Sequence, residues 1–393
     1  MKRIEEIDAL RGFALFGIIM THMSAGFVAS LTPPQYAGFN FKLPIDSVSL
    51  QIIENLFLGK FYAIFSMLFG LSFYLILDSK KESSPWRFAW RLVLLFLIGY
   101  LHHIHYRGDF LTVYAVFGMI LIPMRKLPNR LILVIGIFLA LNGPTNLMKT
   151  ISLFQPPAEV SQATASGPNP VELAMSYYQL ILDGEYQKLL VSNSTIGFIN
   201  KYDYLKFSGR LWIIPGLFLL GLWIGRKKWH ENIDKIPLRK LTLVTAIIGI
   251  PLVLLNYYFS TPAHSEPVRL LASIAKDASN IFIPLLYIAL VIQLYQSKRT
   301  HRFVRSLIPV GKMGLSTYVI QSAFGIFIFY GYGLGLLLKL PCTAALGLGL
   351  LFFLVQILFS NWWFSKYKYG PLEWLWRSGT NGKWQPFKKN KEA

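Results

Sequence analysis

The stretch that decides the fold is residues 4–23, IEEIDALRGFALFGIIMTHM, at the start of a 393-residue chain. Asp8 and Arg11 stand at its entrance, and ten uncharged residues separate Arg11 from His22. At about 1.5 Å per residue, a helix carries His22 about 16 Å deeper than Arg11, near the middle of a ~30 Å hydrocarbon layer. An ionisable group at that depth faces protein or water and is commonly functional. The alternative is a neutral histidine that is hydrogen-bonded inside a helix bundle.

The composition is that of a polytopic membrane protein. Hydrophobic residues make up 54% of the chain and charged residues only 15%, against about 25% charged in soluble domains, and the mean hydropathy is positive. The net charge of +20 does not indicate nucleic-acid binding, because the basic residues lie in short loops between apolar runs. A single cysteine, Cys342, excludes an intramolecular disulfide and a cysteine-rich metal site. We expect the first apolar run to be a retained helix, since no small-residue cleavage pattern follows it.

We predict an all-α fold with ten transmembrane helices in one transmembrane domain, residues 1–393. The predicted spans are 12–31, 52–77, 89–106, 110–124, 131–149, 211–225, 241–259, 279–296, 315–337 and 343–364. Cations concentrate in alternate loops, beginning with Lys2, Arg3, Lys80 and Lys81. By the positive-inside rule, this alternation places both termini in the cytoplasm. The predicted location is the bacterial cytoplasmic membrane, with residues 365–393 as a cytoplasmic interfacial tail.

A long loop, 150–210, is predicted on the outer face. It opens with a Pro/Ser/Ala/Gly-rich piece between Gln155 and Pro170. Apolar residues then recur at helical spacing, which predicts an amphipathic helix ending near Asp183-Gly184. These residues are Val171, Ala174, Tyr178, Ile181 and Leu182. Such a helix would shape a substrate entrance or lie at the interface as a packing element.

Histidines and an aspartate cluster at the outer end of the third predicted span. His102, His103 and His105 are followed by Arg107 and Asp109. A histidine paired with an aspartate serves as an oriented base or proton relay, and the alternative is a set of polar residues that cap a helix end. We expect no metal here, because the usual helical ligand pair is spaced i, i+4 and no second carboxylate cluster is near.

A glycine-flanked cation opens the ninth predicted span, in Gly311-Lys312-Met313-Gly314-Leu315-Ser316. A helix start of this kind can receive phosphate through its free N–H groups. The spacing is not that of a phosphate-binding loop of nucleotide hydrolases.

Several blocks resemble the YeiB family, a domain family of unknown function (418). The first is Asp8-Ala9-Leu10-Arg11-Gly12-Phe13-Ala14-Leu15. The later ones are Gly99-Tyr100-Leu101-His102, Gly108-Asp109 with Tyr114-Ala115, the 311–322 stretch, and Gly370-Pro371-Leu372-Glu373-Trp374-Leu375-Trp376-Arg377. They occur in the family's order over nearly the whole chain, and the last block is the most specific.

The first helix also resembles the membrane-bound acyltransferases of family 3, in which an Arg and a His are separated by ten residues. Arg11 and His22 have that separation. The YeiB pattern more often has Asn at the position of His22, so this chain departs there from its nearer family. Both families are identified as members of one broad transmembrane acyltransferase superfamily, together with a lysosomal glucosaminide N-acetyltransferase.

This resemblance implies an enzyme that moves an acyl group, with acetyl expected, from cytoplasmic acyl-CoA to an envelope sugar or glycolipid. Arg11 would bind phosphate of the donor and Asp8 would orient Arg11. His22 would be the general base or a transient acyl carrier. His102 and Asp109 would line the acceptor side.

Lys312 and Ser316 would assist in binding the donor. Membrane lipids and the acceptor are the expected partners, a homo-oligomer is allowed, and neither nucleic acid nor a metal is expected. Two alternatives remain: a transporter or channel with a proton path through His22, His102 and Asp109, and a sensing membrane protein without turnover.

Overall fold

The structure, a computed structural model, describes residues 4–36, 38, 41–78, 84–155 and 169–389. Within these ranges the chain is helical, and strand pairing is limited to an isolated bridge between Tyr367 and Lys388. Lys2, Arg3, Lys80 and Lys81 lie outside the described residues, as does most of the Pro/Ser/Ala/Gly-rich piece predicted after Gln155.

Seventeen α-helices are described. They are α1 Glu5–Ser24, α2 Pro44–Ile52, α3 Lys60–Phe73, α4 Pro85–His105, α5 Leu111–Met124, α6 Asn129–Ala140, α7 Gly143–Ser152, α8 Pro170–Leu182, α9 Tyr186–Ser192, α10 Phe198–Phe207, α11 Arg210–Arg226, α12 Leu238–Phe259, α13 Glu266–Gln296, α14 His301–Lys312, α15 Gly314–Phe329, α16 Cys342–Lys366 and α17 Pro371–Asn381. π-helical segments Ile53–Phe57, Tyr74–Asp78 and Asn193–Gly197 extend or link them.

The chain is an all-α protein of the polytopic membrane type. Among the residues that the structure describes, five segments are long and apolar enough to cross a membrane: Pro44–Asp78, α4, α12, α13 and α16. Three bent pairs raise the number to eight if each pair is one span: α6 with α7 (55°), the 186–207 segment with α11 (72°), and α14 with α15 (85°). The ten predicted spans and the cytoplasmic termini therefore stay predictions.

Some predicted spans have other bounds. The 12–31 span is α1, which ends at Ser24, and the 315–337 span ends as a helix at Phe329. The 131–149 span is interrupted at Asn142, whose φ of 54° is left-handed and cannot continue a right-handed helix. Residues 330–341 follow an irregular path through a glycine-rich stretch, where glycine's conformational freedom weakens the helix.

The first helix is the centre of the bundle. α3, α13, α14, α15 and α16 all contact α1, and its buried residues occur around the whole circumference, as expected of a helix enclosed by protein. The tightest approach is to α14. Gly12 meets the Leu307 carbonyl and Gly311 meets the Asp8 carbonyl with no room for a Cβ atom. This contact brings Lys312 beside the charged entrance of α1.

Candidate functional site

A cavity of about 450 Å³ runs along α1, a volume typical of small-molecule sites. Arg11, Leu15, Ile18 and His22 line it from that helix. Because a separation of eleven residues is just over three turns of about 3.6 residues each, these side chains lie on one face. The predicted Arg11–His22 pair thus shares one cavity. We call its two ends the Arg11 end and the His22 end.

Hydrogen bonds to Asp8 and Ser72 help to fix Arg11. Its Nη1 atom lies 3.0 Å from Asp8 Oδ1 and its Nη2 atom donates to Ser72 Oγ at 2.6 Å. Asp8 is 1% exposed, and a buried carboxylate requires such a partner. The geometry is that expected of an acid that orients a guanidinium.

Other cations join Arg11 at this end. Arg91, Lys312 and Arg377 line the same cavity. The guanidinium of Arg91 lies 3.8 Å from the centre of the Trp376 ring, and Trp376 Nε1 donates to the Arg91 carbonyl at 2.8 Å. Cation–π contact of this kind holds both groups in place. The Arg11 end is therefore a basic and aromatic surface suited to an anionic ligand.

Glu373 occupies the helix start that the sequence predicted for phosphate. Its Oε1 accepts from the N–H groups of Leu315 (2.7 Å) and Ser316 (3.1 Å), and its Oε2 accepts from Ser316 Oγ at 2.6 Å. Burial raises the pKa of the Glu373 carboxyl, although the bonds from Ser316 and Leu315 oppose this shift. The expectation that these N–H groups and Ser316 are free for a donor phosphate is thus corrected. Lys312 lines the cavity, and its role in binding a donor stays a prediction.

The His22 end is organised by a tyrosine that the sequence analysis did not single out. The hydroxyl of Tyr106 lies 2.8 Å from His22 Nδ1, so the imidazole is held by one nitrogen. Tyr62 and Arg210 line the same cavity as His22. Tyr106 directly follows the histidine cluster and Arg210 follows a glycine at the start of an apolar run, which are the sequence signals that could have indicated them.

His102 and Asp109 form the predicted pair, with 2.9 Å between His102 Nδ1 and Asp109 Oδ1. Asp109 also accepts from the N–H groups of Leu111 and Thr112 and from Thr112 Oγ1. Lys201 Nζ lies 3.4 Å from Oδ2. Burial alone would raise the pKa of Asp109, but the hydrogen bond from His102 and the charge of Lys201 hold it well below its ordinary range.

The His102 pair lies beside the cavity rather than in its lining. The His102 ring is 5.7 Å from the Tyr106 ring and 5.2 Å from the Tyr318 ring, centre to centre. Tyr318 lines the cavity, and Tyr106 bonds His22. The Nε2 atom of His102 is buried without a hydrogen-bond partner. Two tyrosines thus separate His102 from the space next to His22.

The remaining histidines of the cluster have local partners. His103 Nε2 bonds the Asn193 carbonyl at 3.1 Å and His105 Nδ1 bonds the Leu101 carbonyl at 2.8 Å. Across the described ranges, no group of three or more His, Cys, Asp or Glu side chains is arranged to hold a metal ion.

The segment over the His22 side contains the helix that the sequence pattern predicted. α8 ends at Leu182 and buries Ala174, Tyr178 and Ile181. Its turn at Gly184 packs against Gly331, whose N–H donates to the Ile181 carbonyl at 2.8 Å. The position of this segment outside the cell stays a prediction.

Comparison with known proteins supports the family resemblance. Residues 224–383 match the family model described as a protein of unknown function (DUF418). The chain is 28% identical over 406 aligned residues to the uncharacterized protein YxaH of Bacillus subtilis, covering 99% of this chain and 96% of that one. It is 25% identical over 398 residues to the uncharacterized protein YeiB of Escherichia coli, covering 97% of each.

A third relative, the uncharacterized 39.9 kDa protein in the amylase 3' region of Bacillus acidopullulyticus, is 25% identical over 395 residues, covering 100% of this chain and 98% of that one. No solved structure matches. The resemblance to the YeiB family expected from the sequence blocks is confirmed.

Proposed function

We propose that this YeiB-like membrane protein is an acyltransferase that moves an acyl group, with acetyl as the expected one, from acyl-CoA to an envelope glycan or glycolipid. The observation that carries the proposal is one cavity with a basic, aromatic surface at the Arg11 end and an imidazole at the other. A thioester donor has a matching shape: an anionic nucleotide and a thin arm that ends in the reactive carbonyl.

Donor binding is assigned to the Arg11 end. Arginine forms bidentate bonds to phosphate, and Arg91, Lys312 and Arg377 add positive charge around Arg11. Aromatic side chains then line the way towards His22, among them Phe61, Phe65 and Tyr114. An apolar passage excludes water from a thioester and so protects it from hydrolysis.

Acyl transfer is assigned to His22. In the tautomer whose Nδ1–H donates to the Tyr106 hydroxyl, Nε2 carries the lone pair and is the nitrogen left for a substrate. Nε2 takes the proton of the acceptor hydroxyl while that oxygen attacks the thioester carbonyl. The new C–O bond forms, the C–S bond breaks, and the proton passes from His22 to the leaving thiolate. In the alternative in which His22 carries the acyl group, Nε2 first attacks the thioester carbonyl and releases the thiolate, and the acceptor hydroxyl then takes the acyl group from Nε2.

The proposal places the protein in the bacterial cytoplasmic membrane, with the donor reaching the Arg11 end from the cytoplasm and the acceptor reaching the His22 end from outside. The location of His102 behind Tyr106 and Tyr318 gives this pair a positioning role beside the acceptor site. Membrane lipids surround the apolar helices, and a homo-oligomer remains compatible with this arrangement.

The test is transfer of radiolabelled acetyl from acetyl-CoA to envelope material in membranes from cells that lack the endogenous gene. We expect label with the wild-type chain and a loss of about a hundredfold or more with His22→Ala, in the range by which a general base accelerates transfer. His264→Ala is the matched control, since His264 follows α12 and does not line the cavity. Full activity of His22→Ala would reject the catalytic role.

Proton-coupled transport is the rival, and one observation favours it. Helices interrupted at membrane depth are typical of transporters, and two interruptions meet here. Asn142, between α6 and α7, packs against Gly209, between α10 and α11. Asn142 and Asn146 both donate to the buried Asp277, at 3.2 and 3.1 Å. Uptake of protons into proteoliposomes that is lost in Asp277→Asn, without any acetyl transfer, would select this function.

A further inference from the structure

Arg210 is a cation that no step of the proposed reaction uses. It is the first residue of α11 and lines the cavity together with His22. The preceding residue, Gly209, has a φ of 70°, a left-handed conformation that favours glycine. The chain bends by 72° at this point, and the bend turns the guanidinium into the cavity.

Aromatic rings surround this guanidinium. The Arg210 Cζ atom lies 4.8 Å from the centre of the Tyr62 ring, 5.2 Å from that of Phe110 and 5.1 Å from that of Tyr204. Its Nη1 atom donates to the Tyr204 hydroxyl. Tyr204 is 46% exposed, whereas Tyr62 lines the cavity. Arg210 therefore stands where the protein surface meets the His22 end.

The charge of Arg210 is not matched by an acid. In the described part of the chain, no carboxylate oxygen lies within 4 Å of its guanidinium, whereas Arg11 pairs with Asp8 and Arg226 with Asp78. Guanidinium is always protonated in proteins. Three aromatic faces stabilise such a cation only in part, and a partly buried charge without a counter-ion is costly. The position is thus suited to an anion supplied by a ligand.

We propose that Arg210 binds an anionic group, phosphate or carboxylate, carried by the acceptor, and so selects an anionic sugar or glycolipid over a neutral one. This inference rests on the proposed function only in calling the ligand an acceptor. Binding of an anion at Arg210 does not depend on acyl transfer. The guanidinium fork donates two parallel hydrogen bonds to either oxyanion. The Tyr204 and Tyr62 hydroxyls supply further donors around the same point.

The test is binding to the purified full-length chain without any acyl donor, so that its result is independent of acyl transfer. The soluble probes are glucose 1-phosphate and glucuronate, with glucose as the uncharged control. The lipid probe is phosphatidylglycerol in nanodiscs, compared with phosphatidylcholine. Binding is measured by calorimetry for the soluble probes and by native mass spectrometry for the lipid.

We expect wild type to bind either a soluble anion or the anionic lipid. Which of the two binds shows whether the anionic group belongs to a free sugar or to a lipid headgroup. Arg210→Gln should weaken that binding tenfold or more, because charge-assisted bonds are lost. Arg210→Lys should retain part of it, and this variant shows that the fold tolerates the change. Arg269→Gln is the matched control, since Arg269 pairs with Glu266 away from the cavity.

Two results would overturn the proposal. One is equal affinity of wild type and Arg210→Gln for every anion, which would assign binding to the cations of the Arg11 end. The other is no binding of any anionic probe to wild type, even if Arg210→Gln lowers the rate of acetyl transfer.

Discussion

The hydroxyl oxygen of Tyr106 lies 2.8 Å from Nδ1 of His22, although the two residues are 84 positions apart in the chain. This bond engages Nδ1, so Nε2 is the ring nitrogen left for a substrate. It also removes the cost of leaving a buried nitrogen without a partner. The same bond therefore contributes to stability and orients the histidine for the proposed chemistry.

Tyr106→Phe should lower the rate of acetyl transfer about tenfold, because His22 then loses the group that holds its tautomer. The same change should cost about 1 kcal/mol of unfolding free energy, the typical value of one hydrogen bond. The initial rate in membranes and thermal unfolding in detergent measure the two effects. Tyr100→Phe is the matched control, because Tyr100 lies in the last turns of the helix that Tyr106 follows and its ring stacks on Phe96. Equal rates of wild type and Tyr106→Phe would contradict an orienting role.

Arg11→Gln should weaken the binding of acetyl-CoA at least tenfold, since a charge-assisted bond to phosphate is lost. Asp8→Asn should have a smaller effect in the same direction, because the guanidinium keeps its charge and its bond to Ser72. Calorimetric titration of the purified protein measures both affinities. Arg239→Gln is the control, as Arg239 is exposed and does not line the cavity. An unchanged affinity of Arg11→Gln for acetyl-CoA would show that the donor does not bind at the Arg11 end.

The fold class and the Arg11–His22 face could be predicted from the sequence because both are local. Apolar composition reports the membrane class, and an eleven-residue spacing on one helix fixes a shared face. The number of spans could not be read in the same way. Breaks at Asn142 and Gly209 divide apolar stretches into bent pairs, and these breaks depend on packing between distant segments.

The contacts of Glu373, Ser316 and Arg210 could not be predicted from the sequence either, because they too depend on packing between distant segments. Glu373 and Ser316 lie in separate sequence blocks, and only tertiary packing places the carboxylate on the helix start. In the sequence, Arg210 is only the last residue of the predicted 150–210 loop. Its surroundings in the fold, the rings of Tyr62, Phe110 and Tyr204, come from separate parts of the chain. Sequence periodicity reports the face of one helix and does not report which distant side chains cover it.

Asp109→Asn should destabilise the protein by about 3–5 kcal/mol, the usual cost of removing one partner of a buried ion pair. The new amide would place N–H groups against donors from Thr112 and Lys201. Because the folded-state pKa of Asp109 is depressed, its contribution to stability is present above the ordinary pKa of the carboxyl and is lost as pH falls through the folded-state value. Thermal unfolding against pH measures this.

Asp183→Asn is the control for that change, because Asp183 accepts a single exposed bond from Gln179. A loss of stability in Asp109→Asn no larger than in Asp183→Asn would show that the Asp109 carboxylate contributes little to the stability of the fold. The comparison does not depend on any enzymatic activity.

Glu373→Ala should destabilise the protein by about 1–3 kcal/mol, because the N–H groups of Leu315 and Ser316 lose their acceptor. Glu373→Gln keeps an acceptor oxygen and should cost less.

The raised pKa of Glu373 means that the folded state binds its proton more tightly than the unfolded state does. The stability from this proton is therefore fully present below the ordinary value of 4.5 and is lost as pH rises through the folded-state pKa. Thermal unfolding between pH 4 and 8, roughly the range around that value, should show this loss in wild type. In Glu373→Gln, which cannot titrate, the loss should be absent, and identical pH profiles of the two proteins would contradict the assignment.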